Sequence, residues 1–396
     1  MDKGILKQYK YPLSDSEDSF LGELFERKEP LRMIYIENGI FLPTKKIKGK
    51  KEFVLGYGGV LFSNGLLCKE SEIRAKHLRD RFGGGYEVNT EQIECDDREV
   101  VYIGLYRSQW GHFLLEGLSR LWVLQEINIT DAYFVFTSNE GFPQNNALRL
   151  FSILGIKREQ LILVSKPTRF KKIIVPESSY VPGHYWTREY KNIFDTILEK
   201  NVYNGDTYNK IYLSRTRLRK DHLEIGEKLF QDFFESRGYK IIYPEMLLID
   251  EQIGILCKAK SIASLNGTIA HNIVWCKNIK EQIILNKNKG INKHQILISE
   301  MRGIVPKEID VFDRSLKSED ERISVAIEVN DNFKRFCEDN LGIIAQELNE
   351  NSNSIVDRQI VRILSVIEGK RAYKIIRRAQ KKVKRVIVKS KIWTHW

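Results

Sequence analysis

Three ionisable side chains recur at helical spacing in RSQWGHFLLEGLSRLWVL, residues 107–124. His112, Glu116 and Arg120 follow one another at i, i+4 and i+8, which places them on one face of an α-helix. An imidazole beside a carboxylate is suited to general-base chemistry. On a helix facing solvent, Arg120 would only pair with Glu116, and His112 would satisfy a backbone carbonyl. Because most positions between them are apolar, we expect a buried helix whose polar face lines a cleft.

A cluster of cations follows a predicted strand in KIYLSRTRLRKDH, residues 210–222. Ser214 and Arg215 come directly after the strand, and Arg219 lies in the same loop. A guanidinium group binds phosphate oxygens through two parallel hydrogen bonds, so Arg215 is suited to a phosphate-bearing ligand. A solvated basic loop would have the same composition, and this alternative stays open for the other cations of the loop.

Two further strand ends carry residues suited to the same ligand. Gly267 and Thr268 follow a strand in SLNGTIAHN, where a glycine admits a close ligand and the first amides of a helix attract an anion. Asn272, one turn further, either contacts the ligand or is a polar residue of helix packing. Glu245 ends another strand and either holds a ribose or is an acidic charge at a helix start. We find no Asp-x-Asp motif at a strand end, so we expect a site without a metal ion.

Short β-rich runs alternate with helices from residue 99 onward. EVVYIGL, AYFVFTS, QLILVS and KKIIVP are predicted strands, and a helix is predicted over 112–127. After a predicted hinge at 176–186, the alternation restarts over 210–287. Such alternation is typical of parallel βαβ units. We therefore predict an α/β fold with two Rossmann-like domains facing a cleft, where ligands bind at the carboxyl ends of the strands.

These changes of pattern set the expected domain boundaries. An N-terminal arm and a β-rich region with Asn-Gly hairpin turns would occupy 1–98. The first Rossmann-like domain would span 99–185 and the second 186–290. A helical return segment over 291–355 and a basic amphipathic helix over 356–396 would complete the chain.

Positive charge is concentrated near the C-terminus. Of the net charge of +12, eleven basic residues lie between Lys370 and Lys391 without an acid among them, which leaves about +1 for the rest. The basic balance is therefore weak evidence for a nucleic-acid surface on the fold, and a nucleic-acid binder would have to act through the tail. A basic amphipathic helix ending in Trp393 and Trp396 suits an anionic membrane. The alternative is a helix packed on the body with a solvated basic face.

Cysteine usage and hydropathy indicate the expected compartment. The five cysteines are odd in number and none forms a Cys-x-x-Cys pair, which favours reduced thiols over disulfides or a zinc site. The N-terminus shows no apolar signal region, and no run of about 18 uncharged apolar residues predicts a membrane span. We expect a cytoplasmic protein that meets the inner face of the plasma membrane peripherally.

Taken together, the motifs from about residue 100 to 290 resemble glycosyltransferase family 61, in its bacterial capsular-polysaccharide branch. The motifs are GHFLLEGLSRLW, IYLSR, GYKIIYPE and LLIDEQIGILCKAKSIASLNGTIAHNIVW. The family's His, acid and Arg pattern matches the helix described above, and its Ser-Arg matches residues 214–215. Its Pro-Glu and Glu-Gln match 244–245 and 251–252, and its Gly before a later Asn matches Gly267 and Asn272. The chain departs from the family pattern at residues 266–269, which concerns donor binding rather than the fold.

The resemblance implies a GT-B architecture, an inverting mechanism and a nucleotide-sugar donor, which we expect to be UDP-linked, with no cofactor. The implied acceptor is a glycan, which we expect to be lipid-linked, and residues 1–98 would join the acceptor-side domain. A homo-oligomer is compatible with this interpretation. The alternative function is a non-catalytic nucleotide- or glycan-binding protein on the same fold.

The resemblance also assigns roles to the residues. Glu116 would be the base that deprotonates the acceptor hydroxyl, with His112 orienting it, although the reverse assignment stays open. The groups expected to bind the donor and its diphosphate are Ser214, Arg215, Arg219, Gly267, Thr268, Asn272 and Glu245. Arg120 and Glu251 would support the site.

Overall fold

The computed structural model describes residues 10–11, 25–50, 53–74, 81–218, 223–287, 292–312 and 324–342. Arg219 and the tail over 356–396 lie outside these residues. The strands are β1 (Lys10–Tyr11), β2 (Phe25–Arg27), β3 (Met33–Glu37), β4 (Ile40–Lys45), β5 (Gly56–Leu61), β6 (Leu67–Cys68), β7 (Ile73–Arg74), β8 (Arg81–Gly84), β9 (Glu94–Tyr106), β10 (Tyr133–Ser138), β11 (Leu161–Leu163), β12 (Thr168–Pro176), β13 (Tyr180–Val181), β14 (Tyr185–Thr187), β15 (Lys210–Leu213), β16 (Leu223–Ile225), β17 (Lys240–Ile242), β18 (Ser261–Leu265), β19 (Glu281–Asn286), β20 (Lys307–Asp310) and β21 (Ser324–Ala326). The helices are α1 (Trp110–His112), α2 (Asn146–Ile153), α3 (Arg188–Lys200), α4 (Glu227–Ser236), α5 (Ile249–Leu256), α6 (Lys293–Met301) and α7 (Asp331–Leu341).

The C-terminal half is built on a parallel sheet with the strand order β17-β15-β18-β19-β20-β1. Strand β15 pairs with β17, which follows α4, on one side and with β18, which follows α5, on the other. The chain therefore reverses its direction of progression between β15 and β18, and ligand crevices form outside such a switch point. Ile211, Tyr212 and Leu213 of β15 are all fully buried, as in a strand covered on both faces.

The N-terminal half is built on a larger mixed sheet with the order β11-β10-β9-β12-β4-β5-β8-β7. Strands β11, β10, β9 and β12 are parallel, and the strand order again reverses beside β9. Strand β4 pairs antiparallel with β12 and adds the N-terminal strands to this sheet. The mixed α/β class predicted from the alternation of strands and helices is confirmed.

The two predicted Asn-Gly turns differ in outcome. Asn64 and Gly65 join β5 to β6 in an antiparallel hairpin, as predicted. Asn38, with a φ of 52°, and Gly39 instead join β3 and β4 end to end, because both strands pair antiparallel with β12. The left-handed backbone at Asn38 therefore shifts β4 relative to β3 and does not reverse the direction of the chain.

One apolar core continues from the first sheet into the second. It contains fully buried residues of both halves, among them Leu114, Phe194, Ile253 and Trp275. The segment predicted as a hinge, 176–186, contains β13 and part of β14, which extend a small sheet to β2. The two halves are therefore joined by a packed surface.

Polar contacts between α2 and α5 reinforce this surface. Arg149 forms a bidentate ion pair with Asp250, with distances of 2.7 and 2.9 Å. Asn146 accepts a hydrogen bond from the N–H of Ile249 at 3.1 Å. In the part of the chain that the structure describes, no helix is long and apolar enough to cross a bilayer.

Candidate functional site

The continuous helix predicted over 112–127 is replaced by three short pieces. Helix α1 is followed by a π-helical turn over Phe113–Gly117 and a 3-10 turn over Leu121–Gln125. The side-chain oxygen of Gln109 accepts the N–H of His112 at 2.9 Å and so caps the start. A π turn and a 3-10 turn have different pitches, so residues spaced by four do not stay on one face across both.

His112 and Glu116, which lie within the first turns, form a hydrogen-bonded pair. Nδ1 of His112 lies 2.7 Å from Oε1 of Glu116. The imidazole side chain keeps 23% of its surface exposed, whereas the carboxylate keeps only 5%. The second oxygen of Glu116, Oε2, is buried and has no hydrogen-bond partner among the described residues. A carboxylate in this position favours the imidazole tautomer that carries its proton on Nδ1.

Arg120 does not share a face with this pair, and the prediction of a three-residue polar face is wrong. Its guanidinium is buried, donates to the carbonyl oxygens of Pro176 and Glu72, and lies over the ring of Tyr102 at 5.1 Å. Burial lowers its pKa from the ordinary value. These contacts hold the segment against β12, so the side chain of Arg120 serves the packing of the fold.

A cavity of about 250 Å³ opens at the switch point of the C-terminal sheet. Arg215, Pro244 and Thr268 of its wall follow the carboxyl ends of the neighbouring strands β15, β17 and β18. Trp110 and Asn146 come from the N-terminal half, so both halves form the wall. The complete lining is Trp110, Asn146, Arg215, Leu218, Pro244, Glu245, Gln252, Thr268, Ile269 and Asn272.

Arg215 and Gly267 lie next to each other in this wall. A Cβ atom built on Gly267 would stand 3.7 Å from Nη1 of Arg215. Gly267 has a φ of 112°, which residues with side chains rarely adopt, so this position requires glycine. The backbone N–H of Arg215 donates to Oε1 of Glu227 at 2.7 Å, which fixes the start of the loop. The guanidinium and the glycine backbone thus form one surface suited to phosphate oxygens.

Thr268 and Asn272 contact the N-terminal half. Oγ1 of Thr268 accepts from Nε2 of Gln109 at 2.9 Å. Oδ1 of Asn272 accepts from Nε1 of Trp110 at 3.1 Å, and its Nδ2 donates to the carbonyl of Ile269 at 3.0 Å. Both residues line the cavity and also hold the two halves together beside it.

The helix predicted after Gly267 is a 3-10 turn over Ala270–Trp275. The N–H of Ala270 donates to the carbonyl of Gly267 at 2.9 Å. The N–H of Ala270 is therefore already hydrogen-bonded within the turn. Fewer backbone N–H groups after Gly267 can face a ligand than the sequence predicted.

Glu245 lines the cavity from the turn Pro244–Met246. Partial burial raises its pKa, while the charges of Arg215 and Arg217 act in the opposite direction. The guanidinium of Arg217 lies 4.1 Å from the ring centre of Tyr243 and is held beside the cavity by this contact. The carboxylate is thus close to Arg215, the cation expected to bind a phosphate, and to Arg217.

Two other predicted residues have internal partners instead of lining the cavity. Ser214 is fully buried, and its hydroxyl donates to Oε1 of Gln231 at 2.9 Å. Glu251 caps α5, since its Oε2 accepts the N–H of Leu248 at 2.9 Å. Both residues position the loops that carry the cavity wall. Arg219 lies outside the described residues.

Several residues at the site have no distinctive local pattern. Trp110 immediately precedes the Gly-His of the motif. This neighbouring position is the sequence feature that could have identified it as a site residue. Tyr180 and His294 come from segments far from the motif. The hydroxyl of Tyr180 lies 2.7 Å from Nδ1 of His294, and the ring of His294 lies 6.4 Å from that of His112.

Across the residues covered by the structure, no group of three or more His, Cys, Asp or Glu side chains is arranged to hold a metal ion.

Comparison with known families links the two parts of this site. Residues 110–282 match the family model described as Glycosyltransferase 61. The match begins at Trp110 and ends within β19, so it contains the His112–Glu116 pair and the cavity wall, but not His294. No curated protein matches the chain.

Proposed function

The chain carries a glycosyltransferase family 61 domain, and from this premise we propose that it transfers a sugar, with inversion, from a UDP-linked donor to a glycan acceptor. The observation that carries the proposal is the place of the His112–Glu116 pair beside a cavity at a strand switch point. Gly111, between Trp110 and His112, packs against Thr268 of the cavity wall. The proposed base and the proposed phosphate-binding surface are therefore adjacent in space.

The donor would bind in the cavity. Arg215 and the backbone after Gly267 would hold the diphosphate, and Glu245 would accept hydrogen bonds from the ribose hydroxyls. Fixed positive groups stabilise the charge of a departing diphosphate without reorganising, which is the role that a metal ion has in other transferases. We propose the same role for Arg219, and we propose that the reaction is metal-independent.

The geometry favours His112 as the base, with Glu116 orienting it. Oε2 of Glu116 is buried, and Oε1 is engaged with Nδ1 of His112, so the carboxylate does not reach an incoming acceptor. Nε2 of His112 would take the proton of the acceptor hydroxyl as that oxygen attacks the anomeric carbon. The bond from that carbon to the diphosphate breaks, and the nucleoside diphosphate leaves with the electron pair. Glu116 would stabilise the imidazolium that forms. General-base catalysis of this kind accelerates a reaction roughly 10²–10⁴-fold.

We propose a GT-B layout for the two halves. Residues 1–98 and 99–185 would form the acceptor side, apart from β1, and residues 186–290 the donor side, whose sheet β20 and β1 extend. The cavity wall supports this division, because Trp110 and Asn146 come from one half and most other lining residues from the other. A donor in such a cavity presents its sugar towards the half that carries the base.

We further propose that the acceptor is a lipid-linked glycan of capsular or other cell-surface polysaccharide synthesis, met at the cytoplasmic face of the membrane. The support is the sequence of the tail over 356–396, which is basic between Lys370 and Lys391 and ends in tryptophans. Each basic residue near an anionic bilayer contributes about 1 kcal/mol of attraction.

The experiment that tests the donor site is titration calorimetry with a panel of nucleoside diphosphates and nucleotide sugars, with and without EDTA. We expect one nucleoside diphosphate to bind equally well in EDTA, and Arg215→Ala to abolish this binding. Arg237→Ala, which removes a cation at the end of α4 instead, is the matched control and should bind like the wild type. Failure of every nucleotide to bind the wild type, or normal binding by Arg215→Ala, would contradict the proposal.

A further inference from the structure

Two side-chain amides of the cavity wall are held in one orientation by backbone groups. Gln252, of which only 5% is exposed, donates from Nε2 to the carbonyl oxygens of Pro244 at 2.8 Å and Leu247 at 3.1 Å. A backbone carbonyl only accepts hydrogen bonds, so these contacts identify the amide nitrogen and use both of its protons. Among the described residues, Oε1 of Gln252 has no hydrogen-bond partner. This acceptor is therefore the group that Gln252 offers to the cavity that it lines.

Asn146 presents the complementary group from the N-terminal half. Its Oδ1 accepts the N–H of Ile249 at 3.1 Å, and a backbone N–H only donates, so this contact identifies the amide oxygen. In the part of the chain that the structure describes, its Nδ2 has no hydrogen-bond partner. The amide of Asn146 contacts residue 249 and that of Gln252 contacts residue 247, so both lie at the start of α5. These two residues, the amide pair, therefore bring an unused donor and an unused acceptor to one part of the cavity wall.

The order of the strands places the amide pair at the end of the cavity away from His112. The segment that carries His112 is next to the end of β18, since Gly111 packs against Thr268. Arg215 follows β15, the middle strand of the three, and Pro244 with the amide pair lies at the end of β17, on the far side of β15. Neighbouring strands are about 4.8 Å apart, so the three groups form a row along the sheet edge. A donor whose diphosphate contacts Arg215 and whose sugar faces His112 therefore brings its nucleoside to the amide pair.

Apolar side chains adjoin the amide pair. Pro244, whose carbonyl is bonded to Gln252, and Leu218 both line the cavity. The N–H of Leu218 donates to the carbonyl of Arg215 at 3.0 Å, which places Leu218 beside the cation, and 37% of this apolar residue is exposed. A flat ring that covers such a side chain removes it from water. A nucleobase has such a ring, with its polar groups confined to the edge.

We infer that Asn146 and Gln252 bind the edge of the donor's nucleobase. In the UDP-linked donor proposed above, the N3–H of uracil donates to Oε1 of Gln252, and an adjacent ring carbonyl accepts from Nδ2 of Asn146. The amide of an N-acetylated sugar is trans, so its N–H and C=O point in opposite directions and do not meet both groups from one side. The inference rests on the proposed function and adds recognition of the base to it.

The substitution Asn146→Asp tests the donor of the pair. An aspartate keeps an oxygen for the N–H of Ile249 but replaces Nδ2 by a second acceptor. We expect the Kd of UDP, measured by calorimetry, to rise at least tenfold, because a carbonyl of the base then faces an oxygen. Inorganic pyrophosphate, which has no base, should bind this variant within about twofold of the wild type. Asn145→Asp adds the same charge at an exposed neighbour outside the cavity wall, and this control should bind UDP like the wild type.

A change in the ligand tests the acceptor of the pair in the wild-type protein, where Gln252 keeps its contacts with Pro244 and Leu247. The analogue 3-methyl-UDP carries a methyl group in place of the proton that Oε1 of Gln252 accepts. We expect its Kd to be at least tenfold higher than that of UDP. The analogue 5-methyl-UDP carries the same group away from N3 and should bind like UDP.

These measurements separate the inference from the proposed function. Normal binding of UDP by Asn146→Asp, or of 3-methyl-UDP by the wild type, would overturn the inference and leave the donor site at Arg215 intact. Equal losses of UDP and pyrophosphate in Asn146→Asp would show that the added charge acts on the diphosphate, and would also overturn it. Tighter binding of a nucleoside diphosphate with another base would contradict the contacts assigned to uracil. Failure of the wild type to bind any nucleotide would overturn the inference and the proposed function together.

Discussion

Nδ1 of His112 and Oε1 of Glu116 are 2.7 Å apart, yet only the imidazole of this pair reaches the solvent. The pair therefore joins a buried carboxylate to a partly exposed imidazole. On this basis we propose that His112 accepts the proton and Glu116 orients it, the reverse of the assignment that the sequence favoured.

Substitution of the two residues should affect turnover rather than donor binding. We expect Glu116→Gln to lower kcat by roughly 10²–10⁴-fold, because the neutral amide no longer stabilises the imidazolium, and His112→Ala to lower it at least as much. Donor affinity by calorimetry should stay within about twofold, since neither side chain lines the cavity. Glu126→Gln, at an exposed site just after the segment, is the control. Higher activity of His112→Ala than of Glu116→Gln would instead identify Glu116 as the base.

Arg120 should matter for stability and little for catalysis. Arg120→Ala leaves the buried carbonyl oxygens of Pro176 and Glu72 without their donor and opens a cavity beside Tyr102. We expect the free energy of unfolding to fall by about 3 kcal/mol in urea titrations, while kcat per folded molecule changes little. Arg188→Ala, at the exposed start of α3, should change stability by less than about 0.5 kcal/mol. A large loss of kcat without a loss of stability would instead show that Arg120 supports the site, as the sequence analysis expected.

Gly111 should be sensitive to the addition of a single methyl group. A Cβ atom there would stand 2.9 Å from Oγ1 and 3.2 Å from Cγ2 of Thr268, so Gly111→Ala must push the segment away from the donor loop. We expect the Kd of the nucleoside diphosphate to rise about tenfold, since one part of the cavity wall is displaced by roughly an ångström. Thr268→Ala in the same chain removes both crowded atoms, so the double variant should bind like Thr268→Ala alone. Simple addition of the two single effects would show that the contact does not couple the halves.

His271 should make the protein less stable in mild acid. Its pKa is about 4 in the folded protein and 6.5 in the absence of the fold, so the unfolded chain binds more protons between these values. Its contribution to stability is complete above pH 6.5 and is lost as the pH falls towards 4. At about 1.4 kcal/mol per pH unit, the loss between pH 7 and pH 5 is about 2 kcal/mol.

Urea titrations at pH 7 and pH 5 measure this contribution. The fall in unfolding free energy between the two pH values should be smaller in His271→Gln than in the wild type by that amount. Asp195 and Asp250, whose pKa values are lowered by their basic partners, weaken both proteins equally and cancel in the comparison. An unchanged dependence in His271→Gln would show that this ring is not held neutral by burial.

Local patterns were sufficient for much of the fold and for parts of the site. The alternation of strands and helices predicted the α/β class, because a strand and a helix differ in hydrophobic period. Arg215 and Gly267 were found because they directly follow strands, and parallel strands end at one edge. The contact of His112 with Glu116 was found because residues four apart meet within one helical turn.

Other features depended on how distant segments pack. Arg120 does not lie on the polar face, because the helical pitch changes between Glu116 and Leu121. No rule of residue spacing predicts that change. Asn38 and Gly39 connect β3 and β4 end to end and do not close a hairpin, because both strands pair with β12.

The sequence by itself therefore determined the fold class, the cationic strand end and one local hydrogen bond. Only the tertiary structure decided which member of the His112–Glu116 pair is accessible, and which histidines stand beside it. The contact of Tyr180 with His294 spans 114 residues, and that of Gln109 with Thr268 spans 159. Such contacts form only when two separately built sheets share one core, so their geometry follows from packing and burial and not from any short stretch of residues.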